Sequence, residues 1–131
     1  MKNFIFIIIA LLSLSCMNLN KSDYYVSFTG NVEITHILVP DTVDNTGSAV
    51  IQAWSQAPDG CWSNLTFLLT KNSDFEYTLE AYGLYQSTGV CAPGVIYGDS
   101  AITMHPEQSG LYKFNIVKGP YDIEIDTMIV R

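Results

Sequence analysis

Alternation with a period of two constrains this chain more than any other feature. In residues 75–82, Phe75, Tyr77, Leu79 and Ala81 fall on one side and Glu76, Thr78 and Glu80 on the other. Successive side chains of an extended strand point to opposite faces, so only a strand turns this order into one apolar and one polar surface. Tyr121, Ile123 and Ile125 oppose Asp122, Glu124 and Asp126 in the same manner, and Tyr112, Phe114 and Ile116 share one face of a third run. After residue 23 no segment keeps an apolar period of about 3.6, and Val, Ile, Thr, Tyr and Phe dominate the runs.

Turn residues divide these runs. Residues 24–28 read as a first strand, which Gly30-Asn31 turns into residues 32–39. Pro40-Asp41 ends that run, and Asp44-Asn45-Thr46-Gly47 forms a loop. Residues 49–54 read as a short buried strand closed by Pro58-Asp59-Gly60, and residues 65–69 as the next, ended by Asn72-Ser73-Asp74. Residues 83–94 are irregular, residues 96–104 are interrupted at Gly98-Asp99, and Gly119-Pro120 turns the chain into its last run. The count predicts an all-β domain of about eight strands, an antiparallel two-sheet sandwich, with a barrel as the alternative.

The start of the chain is different. Met1-Lys2-Asn3 carries one positive charge, residues 4–14 are apolar except Ser13, and Ser13-Leu14-Ser15 precedes Cys16. This apolar stretch is eleven residues long, against the ~20 that a spanning helix needs, and the pattern reads as a secretory signal peptide. With Cys16 directly after the small residue, it resembles a bacterial lipoprotein signal with a relaxed lipobox. The resemblance implies a signal peptide at 1–15, diacylglycerol on Cys16, and a membrane anchor facing the periplasm or the cell exterior. Residues 16–23 then form a lipidated tether and residues 24–131 the folded domain.

After such processing five basic side chains remain against thirteen acidic ones. That balance excludes nucleic acid as a partner, because phosphate backbones need a basic footprint. Cys61 and Cys91 remain once Cys16 carries lipid, and an oxidising compartment predicts that they bridge. The thirty-residue spacing gives about 3–4 kcal/mol of stabilisation in the chain-entropy model.

Three local features resemble an immunoglobulin-like sandwich of bacterial surface lipoproteins. They are Pro106-Glu107-Gln108-Ser109-Gly110-Leu111-Tyr112-Lys113-Phe114, Leu38-Val39-Pro40-Asp41-Thr42-Val43, and Gly60-Cys61 with Val90-Cys91-Ala92-Pro93. The resemblance implies a structural corner, in which Gly110 permits the turn and Tyr112 returns its hydroxyl to upstream backbone. The cysteines do not match the usual bridge of antibody domains.

Little in the chain points to catalysis. His36 falls in an alternating run and His105 in a loop beside Pro106, and a triad needs three groups that converge in space. Glu76 with Glu80, and Asp122, Glu124 and Asp126, read as solvated rows rather than as a glycosidase pair. No zinc, EF-hand or blue-copper spacing is present, so no metal or cofactor is expected. Trp54, Trp62 and the tyrosines offer stacking surfaces for sugars or a protein partner, besides their use as core, and Trp62 is expected on the disulfide. The expected function is therefore an envelope-anchored, non-enzymatic protein with a binding or structural role. A glycan or small-ligand module and an inhibitor of an exported enzyme are the alternatives. An enzyme would need polar groups converging near His36 or His105.

Overall fold

The clean alternation of residues 75–82 belongs to the central strand. In a computed structural model that describes residues 24–131, β5 (Glu76–Ser87) pairs antiparallel with β1 (Val26–Leu38) and with β4 (Trp62–Ser73). Its first residues pair parallel with β7 (Gly110–Gly119), which joins β8 (Asp122–Val130) in an antiparallel hairpin. The short β2 (Thr42–Val43) runs parallel to the end of β8. On the other side β1 pairs with β3 (Ala49–Asp59), and β3 with β6 (Pro93–Met104). The expected signal peptide, Cys16 and tether lie outside the described residues.

The described chain is all-β, with eight strands and no helix. It is one mixed, strongly curled sheet, a half-barrel, in the order β2-β8-β7-β5-β1-β3-β6 with β4 on β5. This corrects the antiparallel two-sheet expectation, and β1 is the physical reason. Val26 to Val32 pair with β5, then Glu33 to Leu38 pair with β3, so one long strand carries the hydrogen bonding from one half into the other. Gly30-Asn31 therefore does not turn the chain. A side chain at Gly30 would sit 3.3 Å from the Trp62 ring, so the glycine makes room for an aromatic inside a continuous strand.

The inner surface of the curl is the core. Ile34, Ile51, Leu79, Phe114, Ile116 and Met128 are wholly buried, each contributing about 1.5–3 kcal/mol of burial. Bulges set which side chains reach it. β1 spends an extra residue between Ile34 and His36, which moves the buried positions from Ile34 to Ile37 and turns both Thr35 and His36 outward. β4 spends one between Ser63 and Thr66, with Asn64 in the left-handed region at φ 51°. Leu65 then packs against the core. A Cβ at Gly98 would lie 2.7 Å from the Leu65 Cβ. The predicted interruption of β6 at Gly98 is thus a packing site within an unbroken strand.

Candidate functional site

Gln52-Ala53-Trp54-Ser55-Gln56 lies in β3 with the small residues Ala53 and Ser55 buried. Alternation then sends Gln52, Trp54 and Gln56 to the outer face. Residues 49–54 are thus half-buried rather than a buried strand. Cross-strand register places His36 on β1 and Asp99 on β6 beside Trp54. The next row is Glu33, Gln56 and Tyr97. The His36 and Trp54 rings are 5.1 Å apart and tilted by 37°. Gln56 Nε2 donates to Glu33 Oε2 at 2.7 Å, and Tyr97 is 76% exposed. On the β6 side of Trp54 a shallow depression of about 190 Å³ is lined by Gln52, Trp54, Asp99, Ser100 and Ala101.

This surface combines two aromatic rings with amides and carboxylates. An indole or phenol face offers apolar area to the C–H face of a flat ring, while amides and carboxylates supply donors and acceptors around it. Trp54 was among the candidate stacking residues. Tyr97 was among them too, as one of the tyrosines, whereas Gln52, Gln56, Glu33 and Asp99 were not singled out. Gln-Ala-Trp-Ser-Gln and Tyr-Gly-Asp nonetheless carry a signal, polar or aromatic residues alternating with the smallest ones.

Trp62 lies elsewhere. Its ring meets Phe28 edge-on at 5.9 Å and Tyr85 at 5.3 Å, and Phe28 stacks on Tyr85 at 4.9 Å. Tyr85 in turn reaches the disulfide, its hydroxyl 3.4 Å from Cys91 Sγ. Cys61 and Cys91 are bridged across a Cα separation of 5.1 Å. Asp59 lies beside them, but its Oδ1 accepts the Cys61 N–H at 2.9 Å and both sulfurs are used in the bridge.

The remaining candidates have structural partners. Tyr112 Oη donates to the Gln108 carbonyl at 3.0 Å and is 1% exposed. Gly110 has a positive φ of 157°, and a Cβ there would also meet the Phe75 ring at 2.7 Å, so backbone and packing both favour glycine. Glu76 accepts from Asn115 Nδ2 at 2.7 Å and pairs with Lys113 at 3.4 Å. The Asn115 hydrogen bond, then Lys113, holds its carboxyl below the ordinary carboxylate value. Glu80 accepts from the Tyr82 hydroxyl at 3.0 Å, which raises the phenol above its usual range. His36 lies in β1 and His105 in the loop between β6 and β7, and both are exposed.

A cleft of about 600 Å³ lies where β1 leaves β5, between Asn31-Val32-Glu33 and the β7–β8 turn. Its Lys118 is ion-paired with Glu124, which raises the lysine above its ordinary value.

No family model matches this chain, and neither do curated proteins or solved structures.

Proposed function

We propose that this chain is a non-enzymatic protein of the bacterial cell envelope, anchored by lipid on Cys16, that binds carbohydrate through the outer face of β1, β3 and β6. The observation that carries the reading is the placement of Trp54 and Tyr97 among Gln52, Gln56, Glu33 and Asp99, with a depression beside the indole. A pyranose ring stacks on such a plane and hydrogen bonds at its rim. The non-enzymatic part rests on the carboxylates Glu76 and Glu80, which are occupied by structural partners, and on the exposed setting of His36 and His105. The anchor rests on residues 1–16 alone.

An immunoglobulin-like ancestry for the curled sheet belongs to the same proposal. The parallel pairing of β2 with β8 and the Tyr112–Gln108 hydrogen bond support it.

The test is a saccharide array probed with the purified protein and with Trp54→Ala. Expected is binding to a subset of glycans that weakens about tenfold or more in the variant, the loss of roughly 1.4 kcal/mol. No glycan binding, or binding indifferent to Trp54, would overturn the carbohydrate reading. Intact mass of membrane-extracted protein tests the anchor separately: acyl chains on Cys16 support it, and an unlipidated chain cleaved elsewhere refutes it.

A further inference from the structure

β8 combines three features that do not serve the carbohydrate reading. The first is a free backbone edge. β7 pairs with one side of β8 from Asp122 to Val130, while β2 covers the other side only at Ile129 and Val130. Ile129 N–H donates to the Asp41 carbonyl on that side at 2.9 Å. In an antiparallel ladder alternate residues face one partner, so the N–H groups of Ile123, Ile125 and Thr127 point the same way. Among the described residues no strand meets Ile123 or Ile125 there, and Thr127 N–H is covered by its neighbour Asp126 Oδ1 at 2.8 Å.

The second feature is the distribution of side chains. Ile123, Ile125 and Ile129 occupy the outer face and are 61%, 58% and 45% exposed, extended on β7 by Leu111 at 61%. Asp122, Glu124 and Asp126 occupy the opposite face. Glu124 pairs with Lys118, and among the described residues Asp122 and Asp126 have no ion pair.

The third is the kind of edge protection. Natural edges are blunted by proline, bulges, lysine or inward-pointing charges. β4 has its bulge at Asn64 and a lysine, Lys71, and β6 begins at Pro93. From Asp122 to Met128 β8 has no proline, bulge or lysine, only the inward-pointing acids Asp122, Glu124 and Asp126, which repel an acidic or identical strand and attract a basic one.

We propose that the free edge of β8 binds an extended peptide in which apolar and basic residues alternate. Such a strand continues the sheet through main-chain hydrogen bonds. In one phase its apolar side chains prolong the Ile123–Ile125 row and its lysines or arginines meet Asp122 and Asp126. The acids select this occupant over a second copy of the chain, because a self-paired β8 would set acid beside acid in a protein of net charge −7.

The experiment titrates the purified protein into a fluorescent eight-residue peptide alternating valine and lysine, and into a valine–glutamate control. The variants are Ile125→Pro, which deletes one outward N–H without removing a bond to β7, and Asp122→Asn/Asp126→Asn. The expected result is saturable binding to the valine–lysine peptide alone, at least about tenfold weaker in Ile125→Pro, several-fold weaker in the double variant, and unchanged in Trp54→Ala. Equal binding of the glutamate peptide, or binding that survives both sets of edge substitutions, overturns the proposal. So does a concentration-dependent dimer in sedimentation that the double variant strengthens, since a second copy then occupies the edge. The double variant keeps the backbone intact, so the test stands even if Ile125→Pro does not fold.

Discussion

β5 and β8 have the same period and sit in the sheet with opposite phase. In β5 the apolar row turns inward: Leu79 and Ala81 are buried, and Glu76, Thr78 and Glu80 lie on the outer side. In β8 the isoleucine row faces out, and the inward row begins with Asp122, Glu124 and Asp126 before ending in the buried Met128 and Val130. Position explains the difference. β5 has neighbours on both edges and lies over the core, so its alternation is read by burial. The first half of β8 overhangs the core, and its phase is set downstream by Met128 and Val130 and by the pairing with β7. A one-residue shift would exchange the rows, but it would also expel Met128 and Val130. Alternation therefore defines two faces, and only the strand's surroundings decide which is buried.

The largest effects should separate the two phases. Leu79→Ala and Met128→Ala each remove a side chain that is 0% exposed and should cost about 2–5 kcal/mol in chemical denaturation. Ile125→Thr, which a buried isoleucine row would make equally severe, should stay within about 0.5 kcal/mol. A large loss at Ile125 would break the comparison. Gly98→Ala should cost about 1–3 kcal/mol, because its Cβ would meet Leu65 Cβ at 2.7 Å and one of the two strands must give way. Tyr112→Phe should cost about 1 kcal/mol through the lost bond to Gln108, with little change in fold by circular dichroism.

The smallest effect is a pH dependence on the outer face of β5. The folded-state carboxyl of Glu76 lies below its ordinary 4.5, chiefly through Asn115. A depressed carboxyl adds stability above the unfolded value, and that stability is lost as pH falls from about 4.5 through the lower folded value. Stability of Glu76→Gln measured from pH 6 downwards should therefore fall less steeply than that of the parent. An unchanged slope would remove Glu76 from the account.

Strand content was legible because Val, Ile, Tyr and Phe alternate over most of the domain. The Cys61–Cys91 bridge was expected from the pairing of two cysteines in an oxidising compartment, and the structure contains it. What stayed hidden was whatever depends on distant neighbours. Gly30 and Gly98 look like punctuation locally, and only the Trp62 and Leu65 side chains opposite them reveal close packing. The two parallel pairings depend on which edges meet after the chain has curled. The Trp54 platform was partly visible, since Gln52-Ala53-Trp54-Ser55-Gln56 has an outer and an inner row, but its partners Asp99 and Tyr97 arrive from β6.

Methyl NMR with a soluble paramagnetic chelate tests the opposite phases of β5 and β8 most directly. The relaxation enhancement of each methyl group reports its distance from solvent. Strong broadening at Ile123 and Ile125, with Leu79 and Met128 protected, is the predicted pattern. Protected Ile123 and Ile125 methyls would mean that the isoleucine row is buried, contradicting both the phase of β8 and the peptide-binding edge built on it.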